Sequence, residues 1–121
     1  MAKQDTVKDC LDHLRDAIPE LKGVLLASIE GLPVAHALSN DLEPNRIAAM
    51  TGAALKMGRR IAETTGNGDF NEIGFRGEED MLFLYSTGSK AMLAVIAPTS
   101  SGVGLIHLEA RDTANAIREL L

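Results

Sequence analysis

The sequence predicts an α+β fold, an α/β sandwich in which helices cover both faces of a five-stranded antiparallel sheet. Three observations predict it. Apolar residues recur at three-to-four spacing in three stretches and gather into short runs in five others. Three of the short runs are apolar on both faces, which marks central strands; the other two carry a proline or a polar face, which marks edges. The element order is α-β-β-α-β-β-β-α. Requiring hairpin partners to be neighbours then leaves the strand order 2-1-5-4-3.

The first helix is expected over Asp5–Ile18, where Val7, Cys10, Leu11, Leu14, Ala17 and Ile18 form one stripe. Thr6 followed by Asp9 resembles a capping box, and Pro19 ends the helix. Val24–Ile29 is apolar on both sides and reads as a central strand. Glu30-Gly31 turns the chain into Pro33–Leu38, and Pro33, lacking a donor, places that strand at an edge.

Pro44–Thr65 is the long helix, with Pro44 at its first position, Asp41 or Glu43 near the cap and Gly66 just past its end. Its apolar arc spans roughly half the circumference, wider than the ~100° that one supporting layer needs. Half of that arc is bulky (Ile47, Met50, Met57, Ile61) and half is small (Ala48, Thr51, Gly58, Ala62). Two neighbours account for it: the sheet beneath and something beside.

A meander follows. Phe70–Arg76 carries Ile73 and Phe75 on one face, with Gly74 and polar residues on the other. The acidic loop Gly77–Asp80 leads to Met81–Tyr85, and Thr87-Gly88-Ser89-Lys90 turns into Ala91–Ala97; both strands are apolar on both faces. After the breakers Pro98–Gly102, a last helix starts near Val103, with Ile106, Ala110, Ala114 and Ile117 on one side. Leu105 and Leu108 fall off that stripe.

The chain has 121 residues, a length for one domain spanning residues 1–121. Its formal charge of −5 argues against duplex binding, and 3% aromatics is too little for a base-stacking platform, so no nucleic acid is expected. Cys10 is alone, which excludes an intrachain disulfide. The start MAKQDTVKD has no apolar signal region, and the apolar parts of Ala91–Leu108 are too short to span a bilayer. The expected setting is cytoplasmic.

No catalytic signature stands out. His13, His36 and His107 lie on three separate elements, and Cys10 sits on an apolar stripe where an inert thiol is expected. Thr65-Gly66-Asn67-Gly68 follows a helix, whereas a phosphate loop precedes one. Ser100-Ser101-Gly102-Val103-Gly104 precedes a helix but lacks lysine, so it reads as a capping loop. No cofactor, no metal and no enzymatic activity are expected.

The third strand is an edge without proline. Its Glu72 and Arg76 share a face and are opposite in sign, so two antiparallel copies set Glu72 near Arg76 of a second copy. Unless the C-terminal helix covers both this edge and the surplus helix arc, they predict a twofold homodimer. The interface residues are Ile47, Met50, Ala54, Met57, Ile61, Ile73 and Phe75. Arg46, Lys56, Arg59 and Arg60 then form a basic strip able to steer an acidic protein partner.

The segments Leu21-Lys22-Gly23-Val24-Leu25-Leu26-Ala27-Ser28 and Glu30-Gly31-Leu32-Pro33-Val34-Ala35 carry a family pattern. So do the Ala-rich helix, Met81–Tyr85, and Val103-Gly104-Leu105-Ile106-His107-Leu108-Glu109-Ala110-Arg111. From about residue 7 to the end, the chain resembles the roadblock/dynein light chain family, especially its short prokaryotic MglB-like members. Glu30 stands where that family most often has Asp. The resemblance implies a profilin-like roadblock fold and a homodimer through the long helix and the third strand. It also implies regulation of a Ras-like small GTPase. Some bacterial members act as GTPase-activating proteins by remodelling the switch region of the GTPase, without an arginine finger. Alternatives are a dimeric scaffold that leaves hydrolysis unchanged, and a profilin-like module sensing a small ligand held between sheet and helices.

Overall fold

The first helix, α1, runs over Lys3–Ala17 and starts two residues before the expected point. The computed structural model describes residues 3–66 and 68–121, with side chains from residue 6 onward; Asn67 of the glycine loop lies outside the described residues. The capping-box reading of Thr6 is corrected here. Lys3 and Gln4 are good helix formers and extend the helix past Thr6, which lies inside it. Val7, Leu11, Leu14 and Ile18 are buried as one stripe. The last helical bond runs from the Ile18 N–H to the Leu14 carbonyl at 3.1 Å, just before Pro19. Arg15 then donates to the carbonyls of Leu21 and Ala37, 3.2 Å each, pinning the end of α1 to the sheet.

The strands are β1 (Gly23–Ser28), β2 (Pro33–Leu38), β3 (Glu72–Arg76), β4 (Asp80–Ser86) and β5 (Ala91–Pro98), and the remaining helices are α2 (Pro44–Thr65) and α3 (Val103–Leu120). The sheet order is β2-β1-β5-β4-β3 and every neighbouring pair is antiparallel, as the sequence implies. β3 begins at Glu72 rather than Phe70, because Phe70 leaves the ladder to pack against Gly58 of α2. β2 and β3 are the edges.

The register aligns Leu25, Ala94, Leu84 and Ile73 in one row across four strands. That row faces α2. The opposite face carries Val24, Leu26, Phe83, Leu93 and Val95, and there α1 and α3 bury Leu11, Leu14, Ile106 and Ile117 against them. Two helices therefore cover one face and one helix covers the other. α2 lies mainly over β1, β2 and β5, and its second half meets Ile73 of β3 at Gly58.

The caps of α2 follow its sequence. The Glu43 carboxylate accepts from the Arg46 N–H at 2.8 Å, Pro44 stands in the first turn, and Gly66 closes the helix in the left-handed region at φ +71°. The approach of α2 to the sheet is set by small residues. A Cβ on Gly52 would stand 2.8 Å from the Gly31 Cα, so helix and β1–β2 turn touch backbone to backbone. Gly31 itself sits at φ +87°, which few other residues adopt at low cost.

Candidate interaction surface

The two halves of the α2 arc separate in the structure. Ala48, Thr51, Gly58 and Ala62 are buried against the sheet. Met50, Met57 and Ile61 are 59, 54 and 56% exposed, and Phe75 on β3 is 51% exposed. These side chains adjoin one another, and a contiguous exposed apolar patch of this kind is the sort of surface that marks interaction sites. α3 does not cover it, because α3 packs on α1 and β4 on the opposite face.

Met57 and Ile61 of α2 and Phe70, Ile73 and Phe75 beside the sheet edge enclose an apolar groove of about 310 Å³, with Ala54 on its wall. Gly58 makes the groove possible. A Cβ there would lie 2.8 Å from the tip of the Phe70 ring and 2.9 Å from the Ile73 Cδ1, so a larger residue would push those side chains into the groove or away from the helix. Of the interface residues expected from sequence, Ala54, Met57, Ile61, Ile73 and Phe75 come together here. Met50 continues the strip as an exposed residue one turn or more toward the helix start. Ile47 is half-buried and packs on the Leu25, Ala27 and Ala48 cluster.

The basic residues spread around α2. Arg60 borders the strip beside Met57 and Ile61, and Arg46 and Lys56 are exposed. Arg59 faces away, toward the β4–β5 turn and Arg118 of α3. Neighbours in sequence, Arg59 and Arg60 lie about 100° apart on a helix and meet different hollows.

Glu72 has a partner within the chain. Its carboxylate accepts from the Arg111 guanidinium, 2.8 Å at the closer-to-ideal contact, and that bond holds its carboxyl below the usual carboxylate range. The expected pairing of Glu72 with Arg76 of a second copy would have to share the Glu72 carboxylate with Arg111. Beside it, the Tyr85 hydroxyl bonds His107 Nδ1 at 2.8 Å, and the His107 ring meets Phe83 edge-on at 5.0 Å. Burial, with the Glu72 charge nearby, pushes the Tyr85 phenol well up. Reading residues singly missed this network. Glu72 and Tyr85 are cross-strand partners and His107 and Arg111 are one helical turn apart, but that spacing does not say which strands α3 crosses. The network ties the free edge β3 to α3. Cys10 is half-buried and its thiol is pushed up by burial and by Asp9, which disfavours the nucleophilic thiolate.

The family model described as Roadblock/LC7 domain matches residues 8–97. An uncharacterized protein of Methanocaldococcus jannaschii is 24% identical over 100 residues, covering 83% of this chain and 87% of that protein. The solved structure of Myxococcus xanthus MglB is similar with a TM-score of 0.92 at 19% identity, covering 99% of this chain and 90% of that one. A Roadblock/LC7 domain from Streptomyces avermitilis gives 0.86 at 20% identity, covering 93% and 94%. At these identities the structural likeness is one of fold.

Proposed function

The chain belongs to the Roadblock/LC7 domain family, and from that premise we propose that it is a homodimeric regulator of a Ras-like small GTPase, acting by binding. The observation that carries the reading is the open apolar strip of α2 running onto the unpaired edge β3. A second copy related by a twofold axis covers both at once: β3 pairs with β3 of the second copy, and the two α2 helices adjoin. Covering Met50, Met57, Ile61 and Phe75, each about half exposed, contributes about 1 kcal/mol apiece.

In such a dimer Arg46, Lys56 and Arg60 from both helices flank one seam, with Arg59 at its far edge. That surface attracts an acidic protein face, in a chain whose formal charge is −5. The dimer thereby acts on the GTPase without chemistry of its own, in a cytoplasmic setting; no helix among the described residues is long and apolar enough to cross a membrane.

The test is to mix the protein with a Ras-like GTPase loaded with GDP or GTP and to measure complex mass and GTP hydrolysis. The reading expects one dimer per complex and faster hydrolysis. Binding with an unchanged rate selects the scaffold reading, and absence of binding in both nucleotide states rejects regulation of that GTPase.

A further inference from the structure

Away from the apolar strip, α2, the β4–β5 turn and the end of α3 surround an open hollow of about 490 Å³. Phe70 gives its apolar wall, and Leu55 and Met92 lie nearly fully buried behind it. Its rim holds two guanidinium groups, Arg59 from α2 and Arg118 from α3, which are 59 positions apart in the chain. Among the described residues neither has a carboxylate within ion-pair distance. Arg118 is held in place: it donates to the Ser86 carbonyl at 3.3 Å and lies along the turn at Gly88, whose φ of +107° folds the backbone beneath it. Ser89 and Asn71 also line the rim, and among the described residues their side chains make no hydrogen bond. One carboxylate, Asp69, shares the lining, so the two guanidiniums leave a net positive site on an acidic protein.

We propose that this hollow binds a small phosphate monoester, its phosphate between Arg59 and Arg118 and its organic group against the Phe70 ring. A guanidinium is the side chain best matched to phosphate oxygens, since it donates two parallel bonds in a fixed fork. Two such forks satisfy a dianion, and the Ser89 hydroxyl and Asn71 amide supply the remaining donors. The partly exposed Phe70 ring favours an ester over the free ion, because the inorganic ion leaves that ring wet. The site lies within one chain and stands independently of the dimer and of any GTPase.

The test is an amide NMR titration of the intact protein with phenyl phosphate and, separately, inorganic phosphate at low salt. The expected result is saturable shifts confined to residues around Asn71, Gly88 and Ser89, with a Kd for phenyl phosphate of about 1 mM or tighter. Phenyl phosphate binds at least severalfold tighter than inorganic phosphate. Arg59→Gln and Arg118→Gln each weaken binding about tenfold, a loss on the scale of one charge-assisted hydrogen bond. Both side chains are at the surface, so the variants keep the wild-type amide spectrum elsewhere. Lys8→Gln on α1, which removes the same charge far away, leaves affinity unchanged. Linear, unsaturated shifts, an equal loss in Lys8→Gln, or no preference for the ester overturns the proposal.

Discussion

Single positions decide how closely α2 seats on the sheet. Gly52→Ala adds a methyl 2.8 Å from the Gly31 Cα, and both atoms belong to backbone that has no rotamer to yield. The ~1 kcal/mol that alanine gains in helix propensity is outweighed by an overpacking cost of about 1–3 kcal/mol. Denaturant unfolding therefore shows Gly52→Ala less stable than wild type, and a more stable variant refutes the backbone contact. Glu72 acts through charge. Its pKa is lowered in the folded chain, so its contribution is present above the ordinary value of 4.5 and is lost as pH falls through the lower folded value. Wild type is thus more stable than Glu72→Gln at neutral pH, and the two stability curves converge in acid. Curves that stay parallel across that range remove the Arg111 contact from the account.

At the scale of elements, the strip on α2 and the edge β3 form one surface from two parts. Met57→Asp and Ile61→Asp each place a charge where Met57 and Ile61 are now about half exposed, so the single chain tolerates them. In the proposed dimer the same charge is buried without a partner, at a cost of several kcal/mol. Light scattering at low micromolar concentration then returns half the mass of wild type while the circular dichroism spectrum is retained. A variant that stays dimeric moves the interface elsewhere. Strand order was legible in the sequence, because two-sided apolar runs such as Ala91–Ala97 and the lone proline of β2 each permit one place in the sheet, whereas the starts of α1 and β3 were not. The split of α2 into small and bulky halves was legible for the same reason. The Glu72–Arg111 contact was not, because periodicity shows which side of α3 faces inward and is silent on which strand it crosses. Nor did helical spacing alone reveal that Arg59 and Arg118 converge, since they sit on helices from opposite faces of the sheet.

For the whole molecule, the acidic chain and the basic seam make opposite demands on a partner, and the seam is the local one. Arg46→Glu combined with Arg60→Glu reverses four charges per dimer at positions outside the apolar groove. The dimer mass is expected to persist. Affinity for an acidic partner falls by tenfold or more, chiefly through slower association at low salt. Isothermal titration with and without added salt checks this, and unchanged affinity in the double variant removes the seam from partner recognition.

β5, which begins at Ala91, lies in the middle of the sheet, between β1 and β4. Synthesis runs from the N-terminus, so β1 to β4 are all made before the central strand that joins them. Until then β1 and β4 each have an open side, and the two hairpins have no common scaffold. Closing the sheet joins residues about 70 positions apart, as in Val24 with Val95, which makes it a long-range step that follows hairpin formation. A nascent chain stalled before Ala91 is accordingly a substrate for chaperones rather than a half-finished domain.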